Sequence, residues 1–255
     1  IMEEIYEYIK NMKSLQNCLH EFIEREDNNE ENYQNFINQF NQLEITNNAC
    51  DFKSFLYLLL KIANNHGRTK QFFSKIEKII LMFKDDIKLK FSNFDNFHIF
   101  KSNKRILLFL IQEKILIFDS NIANYILNDT KFNIRSYIQF FFFDIKNYID
   151  ENLIQRFSFD KIENFNEKRK IGENDDKICI LIRNDLIDDF ISFVKRNDFP
   201  LNSEINLSIF ETNNFLLKKN PTLIEYAAFY GSTQIFRYLY LNGVILTPSL
   251  WIYAM

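Results

Sequence analysis

The sequence predicts an all-α protein, with an α-helical N-terminal region followed by a solenoid of helical hairpins. Apolar residues recur every three to four positions along most of the chain, which is the period of an amphipathic helix. The 255 residues include only 4 Gly and 3 Pro beside 29 Phe, and Gly and Pro are the residues that tight turns require. A short motif also repeats near the C-terminal end, as is typical of helical-repeat proteins.

Two helices are predicted at the start of the chain. Between Met2 and Glu24 the apolar residues follow helical spacing, at Ile5, Ile9, Met12, Leu15, Leu19, Phe22 and Ile23. The stretch 24–31 is dense in Asp, Asn and Glu, which indicates a solvated connection. The second helix follows it, with apolar positions at Tyr33, Phe36, Ile37 and Phe40.

The next two helices are predicted to form a hairpin around Gly67. Asp51 is the expected N-cap of the first, because its carboxylate can accept an unpaired backbone N–H group. The second spans Thr69 to Lys90 and carries one apolar stripe, formed by Phe72, Ile76, Ile79, Ile80, Phe83 and Ile87. Lysines flank this stripe, so peripheral attachment to a membrane through this helix is one alternative function.

Shorter helices are predicted near 94–100, 103–113, 120–128 and 134–148, with Ser102 as the N-cap of the second. The run Phe140–Phe143 is expected in the core, because four exposed adjacent phenylalanines would promote aggregation.

A charged segment at 161–176 has few apolar residues and contains Gly172. This composition is typical of a domain boundary. We therefore expect a helical N-terminal domain of residues 1–170 and a repeat region of residues 176–255.

The repeat is clearest in the last part of the chain. Residues 220–227, Asn-Pro-Thr-Leu-Ile-Glu-Tyr-Ala, recur 27 residues later at 247–254 as Thr-Pro-Ser-Leu-Trp-Ile-Tyr-Ala. Asn220 and Thr247 are the expected N-caps, which places Pro221 and Pro248 at the first helical position, where a missing N–H group costs nothing. Each copy is therefore predicted to begin a helix in the same way.

Each repeat is predicted to contain two helices. Ala227 and Ala228 are small enough for a neighbouring helix to approach closely, and Gly231 supplies the turn into a second helix at 232–242. Its inward positions are Ile235, Phe236 and Leu239. Gly243 follows where a left-handed residue would end that helix.

This unit, with Ala-Ala-x-x-Gly at 227–231, Leu239 and Gly243, resembles an ankyrin repeat. It departs from the family at Glu225, where the family usually has His, and in its period of 27 residues rather than ~33. The difference in period implies that the β-hairpin finger is short or absent. The residues that define the repeat are Pro221, Leu223, Tyr226, Ala227, Ala228, Gly231, Leu239, Gly243, Pro248, Leu250, Tyr253 and Ala254.

The whole chain is similar to ankyrin proteins that are expanded in parasitic protists, in which a helical domain of unknown function precedes the repeats. The resemblance implies a protein-binding scaffold or adaptor without catalytic activity or a cofactor. It also implies a fragment, with further repeats after Met255. A targeting region of a larger enzyme or regulator is the other alternative.

Two weaker copies are present. Residues 190–194 align with Ile235–Leu239 at an offset of 45, and residues 106–110 align with the same segment at an offset of 129. Both lack the glycines, and Lys114 occupies the position of Gly243 in the second copy. Ordinary amphipathic helices explain these two segments equally well.

Composition argues against several other functions. The net charge of −3 provides no field that would attract nucleic acid. Neither a secretion signal nor an apolar run of the ~20 residues that a membrane span requires is apparent. Three widely spaced cysteines do not suggest a disulfide framework. We expect a cytoplasmic protein with no transmembrane segment.

No catalytic or metal site is predicted. Cys18 and His20 lie two positions apart and so point to different faces of a helix, and no second pair completes a tetrahedral site. The turn 66–70 could bind an anion and the basic segment 101–105 could contact an acidic partner, but a polar turn and a solvated helix start explain them better. Phe229 and Tyr230 are the expected contacts to a partner protein, because variable positions in ankyrin hairpins lie toward the binding face. Packing against a neighbouring repeat is the alternative for both.

Overall fold

The computed structural model describes residues 2–24, 30–64, 71–128, 134–152, 162–218 and 220–254. These residues form helices and connections, and none of them belongs to a β-strand; a single isolated bridge joins Glu204 and Thr222. The prediction of an all-α fold is confirmed. The chain divides into two compact units, Ile1–Ile122 and Ala123–Met255.

The first unit contains helices of very different lengths. They are α1 (Met2–Glu24), α2 (Glu30–Gln42), α3 (Ala49–Ala63), α4 (Phe72–Met82), α5 (Lys84–Lys90), α6 (Asn93–Phe100), α7 (Lys104–Gln112) and α8 (Ser120–Asn128), which spans the division between the units. A 3₁₀ turn at Ile45–Asn47 precedes α3. Helix α1 packs against α2 and α4, and α3 packs against α4 and α6.

Phenylalanines form the core of the first unit. The ring of Phe40 lies 4.3 Å from that of Phe83 and 4.8 Å from that of Phe55, measured between centroids. Each such pair contributes about 0.5–1.5 kcal/mol beyond its area burial. Lys75 is also buried here, and its Nζ donates to the carbonyl oxygen of Phe22 at 2.9 Å. This bond satisfies a carbonyl in the last turn of α1.

Several predicted helix boundaries in this unit were wrong. The N-cap of α3 is Asn48 rather than Asp51, because Asn48 has an extended backbone and its side chain accepts from the Cys50 N–H group. Asn103 replaces Ser102 as the N-cap of α7 for the same reason. The helix expected at 69–90 is interrupted at Phe83, whose backbone leaves the helical region between α4 and α5. Gly67, the expected turn, lies outside the described residues.

The second unit contains the remaining helices. They are α9 (Ile134–Phe140), α10 (Phe142–Ile145), α11 (Phe165–Ile171), α12 (Lys177–Arg183), α13 (Ile187–Asn197), α14 (Asn214–Lys218), α15 (Leu223–Tyr230), α16 (Thr233–Leu241) and α17 (Leu250–Ala254). The helix expected at 134–148 is therefore two short helices followed by a 3₁₀ turn at Lys146–Tyr148. The core prediction for the phenylalanine run holds for Phe140 and Phe141, whereas Phe143 is exposed.

Two helical hairpins lie side by side in this unit. Helix α12 contacts α15, and α13 contacts α16, so each helix of one hairpin meets its counterpart in the other. Helix α15 also contacts α17. The motifs around Ala227 and Ala254 are thus both helical and adjacent.

The charged segment that suggested a domain boundary belongs to the second unit. Arg169 of α11 donates to the carbonyl oxygen of Phe140 at 3.1 Å and pairs with Asp144. Thr212 donates through its hydroxyl to the carbonyl oxygen of Gly172 at 2.7 Å. The compact units consequently divide at a different place from the predicted boundary.

Candidate protein-binding site

A capping box begins the C-terminal hairpin. The N–H group of Thr222 donates to Oε2 of Glu225 at 2.8 Å, and the Glu225 N–H group donates to Oγ1 of Thr222. Thr222 is therefore the N-cap, and the prediction of Asn220 as cap with Pro221 at the first helical position was wrong. Pro221 precedes the cap, and its carbonyl oxygen accepts from the Ile205 N–H group at 2.8 Å.

The second copy of the motif, at 247–254, begins its helix at the position equivalent to that of the first copy. Helix α17 starts at Leu250, which lies 27 residues after Leu223, the first residue of α15. Pro248 lies in the turn that precedes α17 rather than inside the helix. Tyr253 of α17 is buried, and its ring lies 4.8 Å from that of Phe215.

Both glycines of the hairpin have left-handed backbones, as the sequence suggested. Gly231 has φ +67° and Gly243 has φ +75°. The first reverses the chain between α15 and α16, and the second ends α16. After it, the Val244 N–H group donates to the carbonyl oxygen of Leu239 at 3.2 Å.

The weaker copies make the same turns without glycine. Asp185 (φ +50°) separates α12 from α13, Asp198 (φ +47°) ends α13, and Lys114 (φ +57°) follows the end of α7. The Phe199 N–H group donates to the carbonyl oxygen of Val194, as Val244 does to Leu239. Asp is among the residues that tolerate this conformation best, so the lack of glycine did not exclude a hairpin.

Glu225 connects the start of α15 to the start of α17. Its Oε1 accepts from the hydroxyls of Thr247 and Ser249, at 2.5 and 2.6 Å, while Oε2 belongs to the capping box. Burial opposes ionisation of this carboxyl, but the hydrogen bonds from Ser249, Thr247 and Thr222 outweigh it and lower the pKa of Glu225. The Glu that departs from the ankyrin pattern is thus an ionised connector between helices.

A related arrangement occurs in the first unit. Ser92 forms a capping box with Asp95 at the start of α6, and Asp119, 27 residues after Ser92, accepts from the Ile122 N–H group in the first turn of α8. Asn93 contacts the chain before α8, because its side chain donates to the carbonyl oxygen of Ile117 and accepts from the N–H group of the same residue. The spacing of N-caps was the signal that could have revealed this copy.

Phe229 and Tyr230, the two residues expected to contact a partner, lie against other residues of the second unit. Phe229 is only 5% exposed, and its ring stacks on that of Phe215 at 6.0 Å. Tyr230 is half-buried, with the Arg183 guanidinium 5.8 Å from its ring. Phe229 thus packs against α14, whereas the alternative considered for both residues was packing against a neighbouring repeat.

Exposed apolar side chains cluster elsewhere in the sequence, from the last turn of α16 onward. We name this set the C-terminal apolar surface; its members are Tyr240, Leu241, Ile245, Leu246, Trp251 and Ile252. Trp251 is 78% exposed and is the only tryptophan of the chain. The stretch 238–254 contains no Asp, Glu, Lys or Arg. That uncharged stretch was the sequence signal for this surface, and sequence reasoning did not use it.

A partly buried polar cluster joins α12 to α15 and to the segment 173–174. Arg183 donates to the carbonyl oxygen of Asn174 and to the Tyr226 hydroxyl, and its Nε pairs with Glu173 at 2.9 Å. Burial raises the pKa of Glu211 to about 7, against opposing hydrogen bonds and the charge of Arg183. Burial also raises the pKa of Cys179 to about 12, so its thiol stays protonated and is a poor nucleophile near neutral pH.

The remaining candidates have local structural partners. His20 contacts Glu24 at 3.2 Å, one turn along α1, and Cys18 is half-buried on the same helix. In the basic segment, Lys104 is buried and the Arg105 guanidinium lies 3.9 Å from the centre of the Phe73 ring. The turn 66–70 lies outside the described residues.

Within the described ranges, no three His, Cys, Asp or Glu side chains come together as a metal site would require. Among the helices that the structure describes, none combines the length and the hydrophobicity needed to cross a bilayer. No family model, curated protein or solved structure matches this chain. Its function must therefore be argued from its own geometry.

Proposed function

We propose that this chain is a protein-binding scaffold or adaptor of the cytoplasm, without catalytic activity of its own. Its C-terminal apolar surface is the contact to a partner protein. The exposure of Trp251 and of five other large apolar side chains between positions 240 and 252 carries this proposal, because exposed apolar surface is what a partner protein covers. Trp and Tyr are also the residues most enriched among those that dominate binding energy.

Comparison of the two matching helices supports the same surface. Trp251 and Ile252 occupy the positions that Ile224 and Glu225 occupy 27 residues earlier. Ile224 and Glu225 are buried, whereas Trp251 and Ile252 are exposed. Among the described residues, these two positions of α17 lack the cover that the equivalent positions of α15 have.

The resemblance to ankyrin repeats points in the same direction. Stacked helical hairpins bury one face against their neighbours and leave another face for a partner. The hairpins α12–α13 and α15–α16 have the adjacency that such stacking needs. The resemblance remains the reason to expect a protein, rather than another kind of molecule, as the ligand.

The structure disfavours attachment to a membrane through the segment 69–90. The apolar stripe of α4 and α5, including Ile76, Ile80 and Ile87, is buried in the core of the first unit. Exposing it would cost the burial of several large side chains, about 1.5–3 kcal/mol for each.

A capture experiment tests the proposal. Immobilised wild-type protein and the variants Trp251→Ala and Leu89→Ala are compared for the proteins that they retain from an extract of the source cells. Leu89 is the control because it is 83% exposed but lies on α5. We expect a partner that binds wild type and Leu89→Ala but is lost with Trp251→Ala.

Fluorescence then tests direct contact. Because Trp251 is the only tryptophan, a tryptophan-free fragment of the partner should shift its emission to shorter wavelength and protect it from quenching by acrylamide. A partner that binds without changing either signal would show that this surface is not the contact.

A further inference from the structure

The first half of α1 exposes an apolar stripe. Met2, Ile5, Tyr6 and Ile9 follow helical spacing and are all exposed, Ile9 by 59%. The second half of the same helix is buried through residues such as Leu15. Helix α1 has 23 residues and α2 has 13, which correspond to about 34 and 20 Å of helix. Helix α2 is therefore too short to cover all of α1.

Charges of opposite sign flank this stripe. Glu3 and Lys10 are exposed and lie seven positions apart, as Met2 and Ile9 do. Seven residues make nearly two helical turns, so both pairs repeat on one side of the helix. Lys10 also contacts Glu7 at 3.4 Å, but both side chains are largely exposed, and such a surface pair is weak enough to exchange partners.

We propose that α1 is a self-association site, through which two copies of this chain pair in antiparallel orientation. A two-fold axis near Ile5 and Tyr6 places Met2 opposite Ile9 of the second copy. The same axis brings Glu3 within reach of Lys10 of the second copy, and the reciprocal pair forms on the same side of the contact, beyond the axis. In a parallel pair, this flank of one copy would face the opposite flank of the other, and neither Glu3–Lys10 pair would form. The charge pattern is self-complementary only in the antiparallel orientation, and we therefore take a second copy as the occupant.

The contact is small, so the association is weak. Stable interfaces bury about 1,200–2,000 Å² in total, and three helical turns on each copy provide less than that. We expect a rapid, concentration-dependent equilibrium between monomer and dimer. This site is separate from the C-terminal apolar surface, and its test is independent of the proposed scaffold function.

Analytical ultracentrifugation over a wide concentration range tests the proposal. The weight-average mass of the wild-type protein should rise toward that of a dimer as concentration increases. Ile9→Glu should remain monomeric, whereas Leu89→Glu, a matched change at an exposed position of α5, should associate like wild type. Circular dichroism shows that the variants keep their helical content. Wild-type protein that stays monomeric throughout, or an Ile9→Glu variant that still dimerises, would overturn the proposal.

Charge exchange tests the orientation. Glu3→Lys and Lys10→Glu should each raise the dissociation constant about tenfold, which is about 1.4 kcal/mol, because two weak attractive contacts become repulsive. The double variant should recover wild-type association, and an equimolar mixture of the two single variants should associate more strongly than either alone. A double variant as weak as the single ones would refute the antiparallel arrangement. Loss of association with Trp251→Glu but not with Ile9→Glu would assign it to the C-terminal apolar surface instead.

Discussion

Glu211 illustrates how a single buried carboxyl can control stability. Its backbone partners are the N–H groups of Asn213 and Asn174, and the charged or polar groups around it include Arg183, Glu173 and Tyr226. Burial nevertheless dominates and raises its pKa to about 7. The folded protein therefore holds a proton on this residue at pH values where the unfolded chain has lost it.

Replacing Glu211 should change how stability depends on pH. Between the unfolded pKa of about 4.3 and the folded pKa of about 7, the folded state binds more protons. Stability is therefore highest below that range and falls as pH rises through it, by about 4 kcal/mol in total. Glu211→Gln should remove most of this fall, as measured by urea unfolding at pH 5, 6, 7 and 8. Glu204→Gln, at an exposed position, serves as control; equal pH dependence of both variants would contradict the assignment.

The positive φ angles of Gly243 and Lys114 lead to a second prediction at single residues. Gly243 has a positive φ and open space where a methyl group would stand, so Gly243→Ala should destabilise the second unit by about 1 kcal/mol through backbone strain alone. Lys114 has a similar backbone without being glycine, so Lys114→Gly should stabilise the protein by up to about 1 kcal/mol. Thermal unfolding of both variants measures whether Gly243→Ala lowers the stability and Lys114→Gly raises it. Two changes of the same sign would show that side-chain contacts, rather than φ, decide these positions.

Among the elements, α17 is connected to a neighbour at its start. Glu225 supplies contacts from α15 to the hydroxyls of Thr247 and Ser249 just before it. Tyr253 adds burial on the same side.

Removing the connecting carboxylate should loosen α17. Glu225→Ala loses the capping box and both hydroxyl contacts, and should cost about 2–3 kcal/mol. Amide hydrogen exchange at 250–254 should accelerate more than exchange in α12. Thr247→Val removes one of the contacts and should have a smaller effect in the same place. Unchanged exchange at 250–254 in Glu225→Ala would mean that Tyr253 alone holds the helix.

At the scale of the molecule, both units contain the same order of features. Each has a capping box, two helices and a left-handed residue, with another helix starting 28 residues after the first N-cap. Different side chains connect the first of these helices to the third. Asn93 contacts the chain before α8, and Glu225 contacts the chain before α17. Both nevertheless place polar atoms against the chain just before the third helix.

This correspondence predicts a matching effect in the first unit. Asn93→Ala removes the contacts of that side chain with Ile117 and Asp119, at a cost of about 2 kcal/mol. Exchange of the amides of Ile117 and Ile122 should accelerate, as exchange at 250–254 should in Glu225→Ala. Asn121→Ala, at an exposed position of α8, should leave both amides unchanged. Equal acceleration in the two variants would contradict the correspondence.

The sequence by itself determined the helical class, most helix positions and the two left-handed glycines. Those features depend on apolar period, capping groups and backbone freedom, which act over a few neighbouring residues. Exact caps were less predictable: Asn220 was the expected N-cap, whereas Thr222 is the N-cap, because Glu225 stands three positions after it and completes the capping box.

Only the tertiary structure decided which side chains are available for binding. Phe229 looked like a contact residue but is covered by Phe215, whereas Trp251 looked like part of a repeat and is exposed. The tertiary structure likewise decided that Glu225 connects two helices and that Glu211 holds a proton near neutral pH. Burial and hydrogen bonding between distant segments depend on which elements pack together, and local sequence patterns do not contain that information.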